Sequence, residues 1–468
     1  MEEDFEFEFS EDPKFSVERY EEMIRNEDQL FFDARAFENI IQFYFSQNDA
    51  VKALEVVEYA INQHPFAPVF LLKRCQLYMA TNEIDKAFEA LDKAEILEPS
   101  DPDIYLLRGN IYESQDRHHE ALENYQKACV LVDESTDEIL VQIALVYQNM
   151  NDYENAISNL KLALEQNMMN QDALYELAFC YDVTNRQDEC IDFYKQYIDN
   201  DPYSYPAWYN LGNAYHKIGL YEKAVDAYDY AILINEEFAS AYYNKGNSLI
   251  HLDKYEEAIE VFKQSVGFEV PNADTLCSLG ECYEKLEQME EARLHYKKAV
   301  KLNPDLGDAW YGIGVTLDAE GRIFESLHYF KKARDSDESF PDYWFGIADA
   351  NYKLGNLEAS VEAYQKVVEL NPLDPDAWLD FSSVLYELNE LERATETILE
   401  GIKNNPDAAE LYYRMVAYIL ATGKFNEALE TLETALKIDP TKHEILFEYL
   451  PQLQNNKVVI EIINKYLI

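Results

Sequence analysis

The stretch Tyr205–Phe238, YPAWYNLGNAYHKIGLYEKAVDAYDYAILINEEF, decides the architecture of this 468-residue chain. Counting Tyr205 as place 1, Trp208, Leu211, Gly212 and Tyr215 stand at places 4, 7, 8 and 11, and Ala224, Tyr228 and Ala231 at places 20, 24 and 27. On a helix of 3.6 residues per turn the first four fall in one narrow stripe, which sets a bulky ring beside a small residue. The last three form a second stripe after a short break. The stretch therefore predicts two helices packed face to face, with Gly212 and Ala224 small enough to let them approach closely.

The same pattern returns at a step of 34 residues, with blocks starting at 34, 68, 102, 137, 171, 205, 239, 273, 307, 341, 375 and 409 and one extra residue between 102 and 137. Place 20 is alanine in nine blocks and otherwise Cys190, Ser326 or Ser360, which are also small. Place 8 is glycine at Gly212, Gly246, Gly280 and Gly314, and all four tryptophans (Trp208, Trp310, Trp344 and Trp378) stand at place 4. Pro65, Pro99, Pro202, Pro304, Pro372, Pro406 and Pro440 hold place 32, where a residue without an N–H closes the second helix.

On these residues the chain resembles the tetratricopeptide repeat (TPR) family, whose signature runs W-x2-L-G-x2-Y, then A-x3-F and a terminal proline. The resemblance implies an all-α solenoid, a right-handed superhelix of antiparallel helix pairs, and a non-catalytic scaffold or adaptor that binds other proteins. Residues 34–442 read as twelve hairpins. Residues 1–14 read as an acidic disordered tail, with seven acidic side chains in the first dozen residues around Phe5-Glu6-Phe7-Glu8-Phe9. Residues 15–33 read as a capping helix, with Ser16 as N-cap and Tyr20 and Ile24 at places 20 and 24 of a missing repeat. Residues 443–468 read as a shortened hairpin ending in the apolar run Val458-Val459-Ile460-Glu461-Ile462-Ile463. A polar cap is the rule for an array's end, so this run predicts packing onto the last repeat or, as an alternative function, a homodimer contact.

Acidic residues number 90 against 39 basic ones, a formal charge of -51. Such a field repels phosphate backbones and anionic membrane surfaces and attracts basic partners. The N-terminus carries no signal-peptide pattern and the chain no long apolar run, which predicts a cytoplasmic protein without a membrane span. The cysteines (75, 129, 180, 190, 277 and 282) and the scattered histidines have no metal-ligand spacing, and the glycines stand singly, so no metal, cofactor or catalytic constellation is expected.

Function is expected where core packing leaves side chains over. Places 2, 5, 9 and 12 lie opposite the packing stripe of the first helix, and the resemblance assigns them to the concave groove. Place 5 carries Tyr175, Tyr209, Tyr243, Tyr311, Phe345 and Tyr413, a ladder of rings able to grip a peptide or helical segment. Asn210, Asn213, Asn244 and Asn247 offer amides that both donate to and accept from a peptide backbone. Asp274, Asp308, Asp342 and Asp376 put carboxylates at place 2, favourable to the helix dipole and attractive to a basic segment. His216 and Lys217 make the window 171–285 locally less acidic, and that window reads as the strongest candidate. The carboxylate clamp of the family's co-chaperone members is not expected. Asn213 and Asn244 match it, but Tyr209, Asp274 and Ser278 stand where its cations belong.

Overall fold

The computed structural model describes residues 13–26, 29–132, 135–268 and 272–467. The acidic stretch 1–12, and with it the expectation of a disordered tail, lies outside the described residues. Every regular element among the described residues is a helix, and the chain divides into two compact units, 1–220 and 221–468.

In the first unit α1 (Pro13–Asn26) precedes the helix pairs α2 (Ala34–Ser46) and α3 (Ala50–Gln63), α4 (Pro68–Ala80) and α5 (Ile84–Leu97), α6 (Pro102–Glu113) and α7 (His118–Leu131), α8 (Asp137–Asn149) and α9 (Tyr153–Gln166), and α10 (Gln171–Val183) and α11 (Gln187–Asn200). The unit ends with α12 (Tyr205–Lys217). The second unit starts with α13 (Tyr221–Ile234) and continues with α14 (Ala239–Ile250) and α15 (Tyr255–Phe268), α16 (Ala273–Lys285) and α17 (Met289–Leu302), and α18 (Gly307–Ala319) and α19 (Ile323–Ser336). It closes with α20 (Pro341–Lys353) and α21 (Leu357–Leu370), α22 (Pro375–Glu387) and α23 (Leu391–Asn404), α24 (Ala409–Ala421) and α25 (Phe425–Ile438), then α26 (Glu444–Tyr449) and α27 (Lys457–Tyr466).

One device ends the first helix of each pair. The residue at place 15 has positive φ in all twelve blocks: Gly219, Gly321, Gly355 and Gly423, five asparagines, Asp116, Asp253 and Glu287. The next N–H then reaches back to the carbonyl at place 11, as in Gln288 N to Tyr283 O at 2.9 Å. This is the Schellman closure, which satisfies carbonyls the helix end would otherwise leave unpaired.

The packing stripes follow the sequence pattern. All twelve place-20 residues are buried. Ser360 answers for its hydroxyl by donating to the Ala348 carbonyl at 2.8 Å across its hairpin. A Cβ added at Gly246, Gly280 or Gly314 would lie 2.5–2.7 Å from the ring at place 24 of the same hairpin (Phe262, Tyr296 or Phe330). Two of those rings are held from both sides: Tyr296 also abuts Gly312, and Phe330 abuts Gly346, each at place 6 of the following hairpin. The tryptophans do more than fill space. Trp208, Trp310, Trp344 and Trp378 each donate the indole N–H to the backbone carbonyl six residues upstream, at 2.8–2.9 Å, which latches a hairpin to the loop before it.

Within each unit, most successive first helices touch one another, as α8 does α10 and as α14, α16, α18 and α20 do in series, whereas successive second helices pack together less closely. The first helices therefore form the inner side of each unit's curve.

One end reading needs correction. α1 already begins at Pro13, so Ser16 is buried inside the helix and does not cap it, and the covered stripe is Val17, Tyr20 and Met23, with Ile24 44% exposed. At the other end Val459 and Ile463 of α27 are buried in the core that includes Leu432 and Leu436 of α25, while Lys457, Glu461, Asn464 and Lys465 face water. The apolar run thus packs through Val459 and Ile463 onto the last repeat, as one of the two expectations had it, while Val458 stays 46% exposed.

Candidate functional site

The place-5 rings fall in both units. In the first, Tyr175 and Tyr209 are half-buried with ring centroids 6.5 Å apart, edge to face, and burial pushes the Tyr175 phenol up to about 12. Asn213 and His216 are half-buried, and Lys217 is exposed but paired with Asp182. Asn210 belongs to the core instead of the groove. It is buried, and its amide donates to the Leu174 carbonyl and the Tyr194 hydroxyl, each at 3.4 Å, so a ligand cannot reach it.

The second unit holds the more developed surface. Tyr243, Asn244 and Asn247 of α14 are half-buried, and Ser278 donates to the Asn247 side-chain oxygen at 3.4 Å. Beyond them opens a hollow of about 380 Å³. Its lining comes from Asp274, Cys277, Ser278, Glu281, Glu284 and Lys285 of α16, Asp308, Tyr311 and Gly312 of α18, and Asp342 of α20, with Tyr243, Tyr296, Leu306 and Phe340 at its edges. The hollow exists because the ring ladder is interrupted: Cys277 takes place 5 between Tyr243 and Tyr311, and Gly312 takes place 6.

Five carboxylates line this hollow against one lysine. Burial, above all, holds the Glu284 carboxyl above the usual range, although the Tyr296 hydroxyl donates to it at 2.9 Å. Asp342 is raised as well, by burial first and then by Asp374 and Asp308. Tyr311 has its phenol pushed up to about 12 by burial and by the carboxylates of Asp342 and Glu284. Asp308 is exposed and accepts from the Tyr343 hydroxyl at 2.6 Å. Like charges crowded on partly desolvated walls disfavour ionisation, and a cation entering among them relieves that cost. Tyr311 lies 5.3 Å from Phe330 and 5.7 Å from Tyr343, centroid to centroid, so it is fixed as a wall.

The remaining residues lie away from the hollow. Phe345 is half-buried against Tyr364, and Asp376 is exposed in the first turn of α22. Tyr413 corrects the ladder: fully buried in the core that α26 completes, it donates to the Asp439 carbonyl at 3.0 Å. The sequence reading favoured 171–285, whereas the hollow spans 243–342. Glu281 and Glu284, at places 9 and 12, follow the same face rule as the predicted residues and are legible by it in the sequence.

Among the described residues no group of three or more His, Cys, Asp or Glu side chains is placed to hold a metal ion, and no helix is long and apolar enough to cross a membrane. The six cysteines are free thiols, four of them buried.

Repeated helix pairs closed by one turn device, with an inner face of rings and carboxylates, define a helical repeat protein of the protein-interaction class. The chain belongs to the tetratricopeptide repeat family. Four models described as tetratricopeptide repeat match it, at residues 205–238 and 273–306, 72–136 and 311–377, 149–215 and 352–419, and 239–269 and 409–442. No curated protein matches the chain in sequence. Solved structures similar to it include YrrB, described as a TPR protein with an unusual peptide-binding site, at 26% identity over 38% of this chain and 92% of that one, with a TM-score of 0.32. The Cut9–Hcn1 hetero-tetramer of the APC/C aligns at 12% identity over 85% and 90%, with a TM-score of 0.44, and MamA at 22% over 42% and 95%, with a TM-score of 0.31.

Proposed function

We propose that this chain is an adaptor that holds a basic segment of another protein in the acidic hollow of its second unit. The observation that carries this reading is the imbalance in the hollow, where Asp274, Glu281, Glu284, Asp308 and Asp342 face Lys285 alone, with Tyr243 and Tyr311 beside them. A lysine or arginine side chain seated there meets carboxylates for its charge and a ring face for its stem. A cation–π contact of this kind contributes ~0.5–2 kcal/mol, depending on how far water is excluded. Steering by the chain's net charge of -51 raises the encounter rate with a basic partner and does so less at high salt.

The test is calorimetric titration of the full chain with a lysine- and arginine-rich dodecapeptide, alongside its glutamate-substituted counterpart. Binding of the basic peptide alone is expected, with affinity lowered about tenfold or more, ~1.4 kcal/mol, by the Asp308→Asn/Asp342→Asn pair. Equal affinity for both peptides, or indifference to that pair, refutes the proposal.

A further inference from the structure

One stretch of the outer side of the second unit carries the opposite charge. Of the second helices of the twelve 34-residue blocks, only α17 and α19 hold more lysine and arginine than aspartate and glutamate. Their lysines are in register: place 25 is Lys263, Lys297 and Lys331 in three successive hairpins, and place 26 is Lys298, Lys332 and Lys366 in three. The two rows overlap on α17 and α19, the second helices of two successive hairpins.

In a chain with 90 acidic residues, exposed lysines have carboxylates to pair with, as Lys353 does with Asp318 and Asp349. Lys263 pairs with Glu260 and Lys366 with Glu369, at the two ends of the array. Among the described residues the four central lysines, Lys297, Lys298, Lys331 and Lys332, form no ion pair. Lys332 lies 4.2 Å over the Trp310 ring, which stacks on Tyr329 at 5.9 Å. His295 of α17 is held below its usual range by burial first and also by Lys298 and Lys263. Exposed Leu294 and Phe324 flank the lysines on the same two helices.

We infer that α17 and α19 form a second binding surface, which takes an acidic peptide segment with apolar side chains from a partner protein. The four ammonium groups without an ion pair, two in each row, meet the carboxylates of such a segment, and the Trp310–Tyr329 stack with Leu294 and Phe324 receives its apolar residues. At physiological salt the Debye length is ~8 Å, so a short segment responds to the lysines facing it and little to distant acids. A nucleic acid duplex is disfavoured, because its charge runs on past the array to α15 and α21, where acidic residues outnumber basic ones three to one.

The experiment is fluorescence anisotropy on the full chain with a labelled dodecapeptide alternating glutamate and phenylalanine, and in parallel with a labelled 20-base-pair DNA duplex. Binding of the peptide is expected, weakened about tenfold or more by K298E/K332E and by raised salt, while the basic dodecapeptide's affinity and the circular-dichroism melt stay as in the parent chain. Peptide binding that ignores K298E/K332E, or no peptide binding, overturns the inference. So does DNA binding that is lost in K298E/K332E, which would assign the lysines to phosphates. A K298Q/K332Q variant that binds between the parent and the charge-reversed chain is the expected sign that charge carries the contact.

Discussion

Glu287 is the one residue at place 15 that is neither Gly, Asn nor Asp, yet its φ is 59°, like the others. The left-handed region costs an L-residue ~1–2 kcal/mol, because its Cβ approaches the following carbonyl, and asparagine tolerates the region better than glutamate. The closure itself is intact, with Glu287 N donating to Glu284 O and Gln288 N to Tyr283 O, both at 2.9 Å. Glu287→Asn should therefore recover much of the strain without loosening the unfolded chain. Glu287→Gly should recover more of it and return ~0.5–1 kcal/mol through the greater freedom of unfolded glycine. Both variants are expected to stabilise by roughly 0.5–1 kcal/mol, which for a unit of this size raises the melting temperature by a few degrees. Asn389→Ala at the equivalent turn should move it the other way. Thermal and urea unfolding of the full chain, followed by circular dichroism, would read these shifts. A Glu287→Gly variant no more stable than the parent would refute the claim that this turn holds strain.

Other expectations follow from geometry already described. A Cβ at Gly312 would meet the Tyr296 ring at 2.3 Å, so Gly312→Ala should cost ~1–3 kcal/mol by overpacking and weaken capture of the basic dodecapeptide, measured by unfolding and by titration. Trp310→Phe keeps a ring but loses the bond to the Pro304 carbonyl, and should destabilise by ~1 kcal/mol in urea unfolding. Asp380 has its carboxyl pushed up to about 6, by burial first and then by Asp376. The folded chain thus binds this proton more tightly than the unfolded chain, whose aspartates titrate near ~3.9, so the Asp380 contribution to stability falls as pH rises from about 4 to 6. Asp380→Asn should flatten the fall in melting temperature across that window, and an unchanged slope would refute the assignment.

The hairpins were legible because each packing rule fell on a residue type that serves only one purpose well: alanine at place 20, glycine at place 8 and proline at place 32. The turn device was equally present, as Asn, Asp or Gly at place 15, but it shows only when the blocks are compared at a place that makes no packing contact. The groove was read in part. The face rule found the Asp274, Asp308 and Asp342 row and the rings of Tyr243 and Tyr311. It could not find the hollow between them, because Cys277 and Gly312 are small residues that in isolation read as core. Burial of Asn210 and Tyr413 depends on partners elsewhere in the chain, Tyr194 for one and the segment around Asp439 for the other, and a repeat alignment treats such positions as equivalent.

The tryptophan latch has a consequence for how the chain is made. Each indole bonds a carbonyl only six residues behind it, and the rings of Tyr125, Phe262, Tyr296 and Phe330 pack on a glycine of their own hairpin. During synthesis, then, an emerging hairpin finds its upstream partner already folded and waits for nothing downstream. Contact order stays low however many repeats are added, so folding should advance hairpin by hairpin at the pace of translation.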